Sequence, residues 1–261
     1  MEQTFFIPFE NSWGIPATFV CPQGEGPFPA ILMVHGFMTS RNGDRFMLQK
    51  IADGLCANGI ASLRIDEISM GENKRSRKDY CLSAIIAEVH AAYHYLEQMK
   101  EVDSEKIGLM GHSLGGKVVL YCADLNPKVI VTLNGALNHN FSKRVVGDLL
   151  TDETDGSRFI LLHTSDGRVE MLFEKYDQDM EEMVKKEFPQ YQKDILIAYA
   201  SADPTCDPIN SISYFEQLDN PNKTLLCIED CNHTFNAKTG DYTKLNELIT
   251  GMNPWLSKHL K

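Results

Sequence analysis

Apolar residues along this chain follow two rhythms. Short runs rich in β-branched and aromatic residues occur at 4–10, 15–21, 30–35, 60–66, 106–110, 129–134, 195–200 and 224–229, and such runs predict strands. Between them, apolar positions recur at i, i+3, i+4 and i+7. The clearest case is 79–99, where Leu82, Ile85, Ile86, Val89, Ala92 and Leu96 share one helical face and Asp79 is placed to cap the start. Similar patterns predict helices over 43–58, 115–125, 208–218 and 241–250. The runs Ile31–Val34 and Ile195–Ala198 are apolar without alternation, as expected of parallel strands with helices on both faces. The predicted class is α/β, with eight strands.

Residues 137–194 interrupt the alternation. Polar Asn138-His-Asn140 and a Thr-Asp-Glu-Thr-Asp-Gly stretch lead into a predicted hairpin, with strands near 158–164 and 168–174 joined at Ser165-Asp-Gly167. An acidic helical segment near 177–188 follows. This stretch holds 13 Asp and Glu against 8 Lys and Arg, a net charge of −5. It reads as an inserted cap over the functional edge of the sheet, dividing the chain into a core (1–136 and 195–261) and a lid (137–194); the plainer alternative is a solvated excursion.

The whole chain carries 25 basic and 36 acidic side chains in 261 residues, a net charge of −11. No segment concentrates Lys and Arg, so nucleic acid and anionic membrane are poor partners. The longest apolar runs fall far short of the roughly 18–20 residues a bilayer span requires. The start, Met1-Glu-Gln-Thr-Phe-Phe-Ile-Pro, lacks the parts of a secretory signal, which for a complete chain gives a cytoplasmic expectation. Seven scattered cysteines, an odd number lying mostly in apolar segments, suit buried thiols in a reducing compartment. Oligomeric state is not legible.

Gly111-His-Ser-Leu-Gly-Gly116 follows the strand Lys106–Met110 and precedes the helical Lys117–Ala123. A nucleophile elbow needs this context: a strand, a turn so sharp that only glycine fits beside it, and a helix whose N-terminus lies behind the serine. Ser113 is therefore the candidate nucleophile. The Leu114 amide at the helix start is a candidate oxyanion donor. The second donor should come from the loop after an earlier buried strand, and His35-Gly-Phe37 points to the Phe37 amide, unless that loop is an ordinary turn.

A serine hydroxyl needs an imidazole to take its proton, and a carboxylate to fix that imidazole. Asp203 follows strand 195–200, and His233 follows strand 224–229, both at strand ends where ligands of open α/β sheets gather. Asp203 is the candidate acid. Asp207, before Pro208, reads as a helix cap and remains the alternative acid. His233 alone among eight histidines has the right order and place; His35 and His112 read as packing or hydrogen-bonding supports. Cys227, Cys231 and His233 form an incomplete set for structural zinc. No G-x-G-x-x-G or Walker motif appears, so neither metal nor cofactor is expected.

With elbow, oxyanion loop, acid and histidine in order, the chain resembles the α/β-hydrolase superfamily along its whole length. Ile65–Asn73 resembles the family's D-x-x-G-x-G-x-S loop, with Ser69 in place of the first glycine and Asn73 in place of the serine. His35-Gly-Phe37, Gly111–Gly116 and the compact insertion after the sixth strand are most similar to the feruloyl (cinnamoyl) esterase group. The resemblance implies a mostly parallel eight-stranded sheet, hydrolysis of hydroxycinnamate esters and a small-molecule ester as partner. In that group a cap tyrosine helps bind the phenol ring; Leu172–Asp179 resembles the segment carrying it, which implies Tyr176, or else a packing residue. Thioesterase, monoacylglycerol lipase and small peptidase share the triad and stay open, as does a non-catalytic ligand receptor.

Overall fold

In the computed structural model, which describes residues 1–10, 13–137, 149–163 and 169–261, all eight predicted strand runs join one sheet. They are β1 (Glu2–Ile7), β2 (Ile15–Val20), β3 (Phe28–Val34), β4 (Ala61–Ile65), β5 (Val102–His112), β6 (Val129–Leu133), β10 (Asp194–Ala200) and β11 (Lys223–Ile228). Their order is β1-β2-β4-β3-β5-β6-β10-β11. The two pairings of β2 are antiparallel and the rest parallel. Helices α1 (Met47–Ala57), α2 (Leu82–Glu97), α3 (Leu114–Tyr121), α5 (Pro208–Gln217) and α6 (Thr243–His259) cover it.

The unbroken apolar strands have the physical cause their pattern implies. Along β3, Ala30, Leu32 and Val34 enter one core with the apolar faces of α2 and α3. Ile31 and Met33 enter a second core with α1 and α6. Side chains alternate across a strand, and here both faces are buried. β10 divides likewise, Ile195 and Ile197 to the first layer and Leu196, Ala198 and Ala200 to the second. Because β3, β5, β10 and β11 run parallel, their C-terminal ends open on one edge of the sheet.

Between β6 and β10 the chain leaves this sheet. β8 (Arg158–His163) and β9 (Val169–Phe173) form the predicted hairpin, in register from Phe159↔Phe173 to His163↔Val169. Its connection, Ser165–Gly167, lies outside the described residues. A two-residue strand β7 (Leu150–Thr151), which the sequence did not predict, pairs with β8. The acidic helix α4 (Glu174–Met183) follows, starting before residue 177. This unit meets the core around residues 77–83. Arg77 pairs with Glu170 at 2.9 Å, Lys78 with Asp152 at 2.8 Å, and Lys175 with Asp79 at 2.9 Å. The Ser83 amide donates to Asp179 at 2.9 Å.

Two predicted boundaries need correction. Asp79 does not cap α2. It lies in a short 3-10 turn capped by Ser76, and Cys81 takes the N-cap position without a side-chain bond. The carboxylate is paired with Lys175 instead. The last helix does not stop at 250 but runs through Pro254 to His259. Proline removes one backbone donor there, yet Leu245, Leu248, Met252 and Leu256 keep helical spacing and are all buried, which sustains the helix. No helix among the described residues is long and apolar enough to cross a membrane.

The loop after β4 turns at two residues with positive φ. Ser69 adopts φ 64°, the left-handed region, and Gly71 follows at φ 51°. A Cβ on Gly71 would lie 2.3 Å from the Asp66 carboxylate. Glu88 of α2 holds the loop by accepting from the Ile68 amide at 2.6 Å, Asn73 Nδ2 at 3.0 Å and Arg75 Nη1 at 3.0 Å. Glu67 is fully buried, and neither carboxyl oxygen has a hydrogen-bond partner. Burial, then the charges of Glu88 and Asp66, push its pKa well above the carboxylate range.

This sets a sign for stability against pH. Above an ordinary value near 4.5 the unfolded chain releases the Glu67 proton while the folded chain holds it to higher pH, so this group's contribution falls as pH rises through that window. Glu67→Met should remove that loss and raise stability at pH 8 by about 1–3 kcal/mol. The gain in thermal midpoint should shrink towards pH 4.5; an equal gain at both pH values would assign it to packing alone.

Candidate active site

Only Ser113 separates β5 from α3, so the chain turns from strand to helix within one residue. Its backbone sits at φ 56°, ψ −117°, a conformation L-residues rarely adopt and one that neighbours must hold. The Ser113 amide donates to the Leu133 carbonyl at 3.0 Å, and its carbonyl accepts from Gly116 at 3.0 Å and Ala136 at 2.9 Å. A Cβ on Gly115 would lie 2.4 Å from the Val34 carbonyl oxygen and 2.5 Å from that of His35. The first turn of α3 thus rests on the end of β3. Leu114 opens α3, where an amide has no acceptor within the helix.

Asp203 and His233, each just past a neighbouring parallel strand, meet with Nδ1 of His233 2.7 Å from Oδ2 of Asp203. The other oxygen of Asp203 accepts from the amides of Thr205 at 2.7 Å and Cys206 at 2.9 Å. The Asp203 side chain is almost wholly buried; that of His233 keeps 16% of its surface. Asp207 does otherwise: its carboxylate accepts from the Ile209 amide at 3.0 Å and caps α5.

His233 is also held by its backbone. Its carbonyl accepts from Nε2 of His112 at 2.9 Å and from Nδ2 of Asn134 at 2.8 Å. A carbonyl cannot donate, so the proton of His112 is on Nε2. Burial, and next the neighbouring His233, lower the His112 pKa to about 3, so its ring is neutral. Sequence reasoning missed Asn134, placing it in strand 129–134. It sits just past β6 at φ 45° and its Oδ1 accepts from the Ala200 amide at 2.7 Å. An asparagine ending an apolar strand was the available signal.

Ser113, His233, Gly36 and Phe37 line one cleft of about 430 Å³. A Cβ on Gly36 would be 3.1 Å from that of Ser113, so the oxyanion-loop candidate passes beside the nucleophile candidate. Thr39, Asp44, Thr205, Asn232, Thr234 and Lys238 give the rest of the lining polar character. Tyr176 is not in this lining. It is 1% exposed, with its ring stacked on Tyr80 at 5.5 Å and 5.4 Å from that of Phe37. Phe37, which does line the cleft, packs against it. Among the described residues, the one group of metal-ligating atoms within 4.8 Å of each other is Asp203, Cys206 and His233. Two of these are already bound to each other. Cys227 and Cys231 are not part of it, and all seven cysteines are free thiols.

A family profile described as alpha/beta hydrolase fold matches residues 29–146. Another, described as BAAT / Acyl-CoA thioester hydrolase C terminal, matches 89–223, just over half of the chain. Est1E from Butyrivibrio proteoclasticus, solved with ferulic acid bound, is similar over 98% of both chains, with a TM-score of 0.75 and 20% identity. Esterase EstD of Thermotoga maritima is 31% identical over 106 residues, 39% of this chain and 25% of that protein. Thiohydrolase aneE of Aspergillus aculeatus is 27% identical over 130 residues, 49% of this chain and 40% of that protein. In both, the chain spans less than half of the relative's length. The chain belongs to the α/β-hydrolase superfamily, within the part of it that the BAAT / acyl-CoA thioester hydrolase C-terminal profile describes.

Proposed function

We propose that this chain is a serine hydrolase that cleaves carboxylic esters through an acyl-enzyme. The observation that carries the reading is the convergence of a strained Ser113 and the hydrogen-bonded His233–Asp203 pair on one cleft. Ser113 Oγ attacks the ester carbonyl while Nε2 of His233 takes its proton. The Phe37 and Leu114 amides stabilise the oxyanion, and the proton passes to the departing alcohol. Water, deprotonated by His233, then releases the acid. Asp203 keeps the Nδ1 proton in place and stabilises the imidazolium. Residues 137–194 act as the lid, and the partner is a small-molecule ester.

A hydroxycinnamate ester is the substrate class supported by the fold's likeness to Est1E, whose structure holds ferulic acid. Phe37 supplies an aromatic wall in the cleft. A thioester is the second reading, favoured by the acyl-CoA thioester hydrolase profile and by the thiohydrolase relative. Measuring kcat/KM for methyl ferulate, p-nitrophenyl acetate and an acyl thioester separates the two. Ferulate turnover well above the others supports the first; thioester preference replaces it.

Ser113→Ala should abolish turnover and fluorophosphonate labelling; wild-type ester hydrolysis by this variant would overturn the mechanism, and a wild-type protein that fails to label would favour a ligand receptor. Asp203→Asn should lower kcat about 1,000- to 10,000-fold. Asp207→Ala should cost about 1 kcal/mol of stability with little change in kcat; reversed effects would exchange the two roles. The Tyr176 hydroxyl is buried without a hydrogen-bond partner, so Tyr176→Phe should leave KM for methyl ferulate unchanged. A tenfold rise would mean that this hydroxyl reaches the substrate.

A further inference from the structure

His35 is wholly buried at the end of β3, and both ring nitrogens are engaged. Nε2 lies 3.2 Å from the Glu67 amide, which donates to it, so Nε2 carries no proton. Nδ1 lies 2.8 Å from the Gly36 carbonyl, which can only accept, so the proton is on Nδ1. The Gly36 carbonyl belongs to the same peptide unit as the Phe37 amide. That unit is planar and trans, so its C=O and N–H point in opposite directions. Fixing one end fixes the other.

We infer that His35, locked as the Nδ1–H tautomer by the Glu67 backbone, is a positioning residue that aims the Phe37 amide at the oxyanion. The inference rests on the serine-hydrolase reading above and adds to it the group that orients one donor. The surroundings keep the ring neutral. Burial lowers the His35 pKa, and it raises that of the Glu67 carboxyl, 3.6 Å from Nδ1, well above the carboxylate range, which disfavours charge there. A carboxylate there would draw the Nδ1 proton away from Gly36 and release the peptide plane. Gly36 also passes close to Ser113, so a rotation of this plane is felt at the nucleophile.

Two replacements separate positioning from packing. In His35→Asn an amide nitrogen stands where Nδ1 stood and can still donate to the Gly36 carbonyl. In His35→Gln the amide oxygen reaches the Nε2 position and can still accept from Glu67, but the donor to Gly36 is lost. Both should lower the thermal midpoint to a similar extent. His35→Gln should lower kcat about 10- to 100-fold with KM unchanged, short of the 100- to 1,000-fold loss when an oxyanion donor is removed outright. Phosphonate inactivation should slow by the same factor, since its adduct mimics the tetrahedral intermediate. His35→Asn should stay within about threefold of wild type. Equal kcat losses in the two variants, or an unchanged kcat in His35→Gln, would overturn the inference.

The wild-type protein offers a check that needs no variant to fold. Its side-chain nitrogen resonances should show His35 as the Nδ1–H tautomer from pH 5 to 9, and an Nε2–H tautomer or an imidazolium would overturn the assignment. Ser113→Ala measured beside these variants tells the two failures apart. If it loses turnover and His35→Gln does not, positioning alone falls; if it keeps wild-type turnover, the hydrolase reading falls and takes this inference with it.

Discussion

The first turn of α3 and the last residues of β3 touch backbone to backbone, and the rest of the site is arranged around that contact. Gly115 leaves no room for even one carbon between itself and the carbonyls of Val34 and His35, and Gly116 likewise has no room for one beside Gly135, just past β6. The helix is therefore wedged between two strand ends. Its start, its dipole and Ser113 have a fixed height above the sheet, and the loop leaving β3 must pass beside Ser113. Interiors packed at crystal density transmit such placement with little slack. Ser113 and the loop leaving β3 are two parts of one steric arrangement.

Around that contact lies an unusual amount of buried polarity. His35, Asp66, Glu67, Glu88 and Lys117 are all within 1% of complete burial, and most are tied to backbone groups of the loops at the C-terminal edge of the sheet. Groups of this kind are costly when their partners are lost, by several kcal/mol for a charge. The ion pairs joining the inserted unit to residues 77–83 are partly solvated, so solvent screens each of them. Precision is thus concentrated under Ser113 and the loop leaving β3, while the connection to the insertion is weak bond by bond.

What the sequence disclosed and what it withheld divide along physical lines. Strands apolar on both faces, such as Ala30–Val34, announced the parallel sheet because burial dictates their composition. The sharp turn at Ser113 and the meeting of Asp203 with His233 were legible because glycine spacing and strand order restrict where such residues occur. Asn134 was not, since its role depends on a backbone turn and on two partners distant in sequence. Tyr176 came from a segment resemblance that left packing open, because sequence alone gives no sign whether a ring faces a cleft or, as here, a second tyrosine. Asp79 looked like a cap because local sequence favours one, and a long-range pairing with Lys175 prevailed. The third strand of the small sheet is two residues long, below what periodicity can register.

The insertion departs after β6 and returns at β10, and these strands are themselves neighbours, paired from Asp194↔Val129 to Ala198↔Leu133. Its two ends are therefore anchored side by side, whatever length of chain lies between them. Asn134 spans this gap, accepting from Ala200 and donating to the carbonyl of His233. The scaffold closes its own seam beneath the excursion. Such a junction is a natural point for exchange: the excursion can lengthen, shorten or be replaced over evolution without disturbing the alignment of the groups at the strand ends.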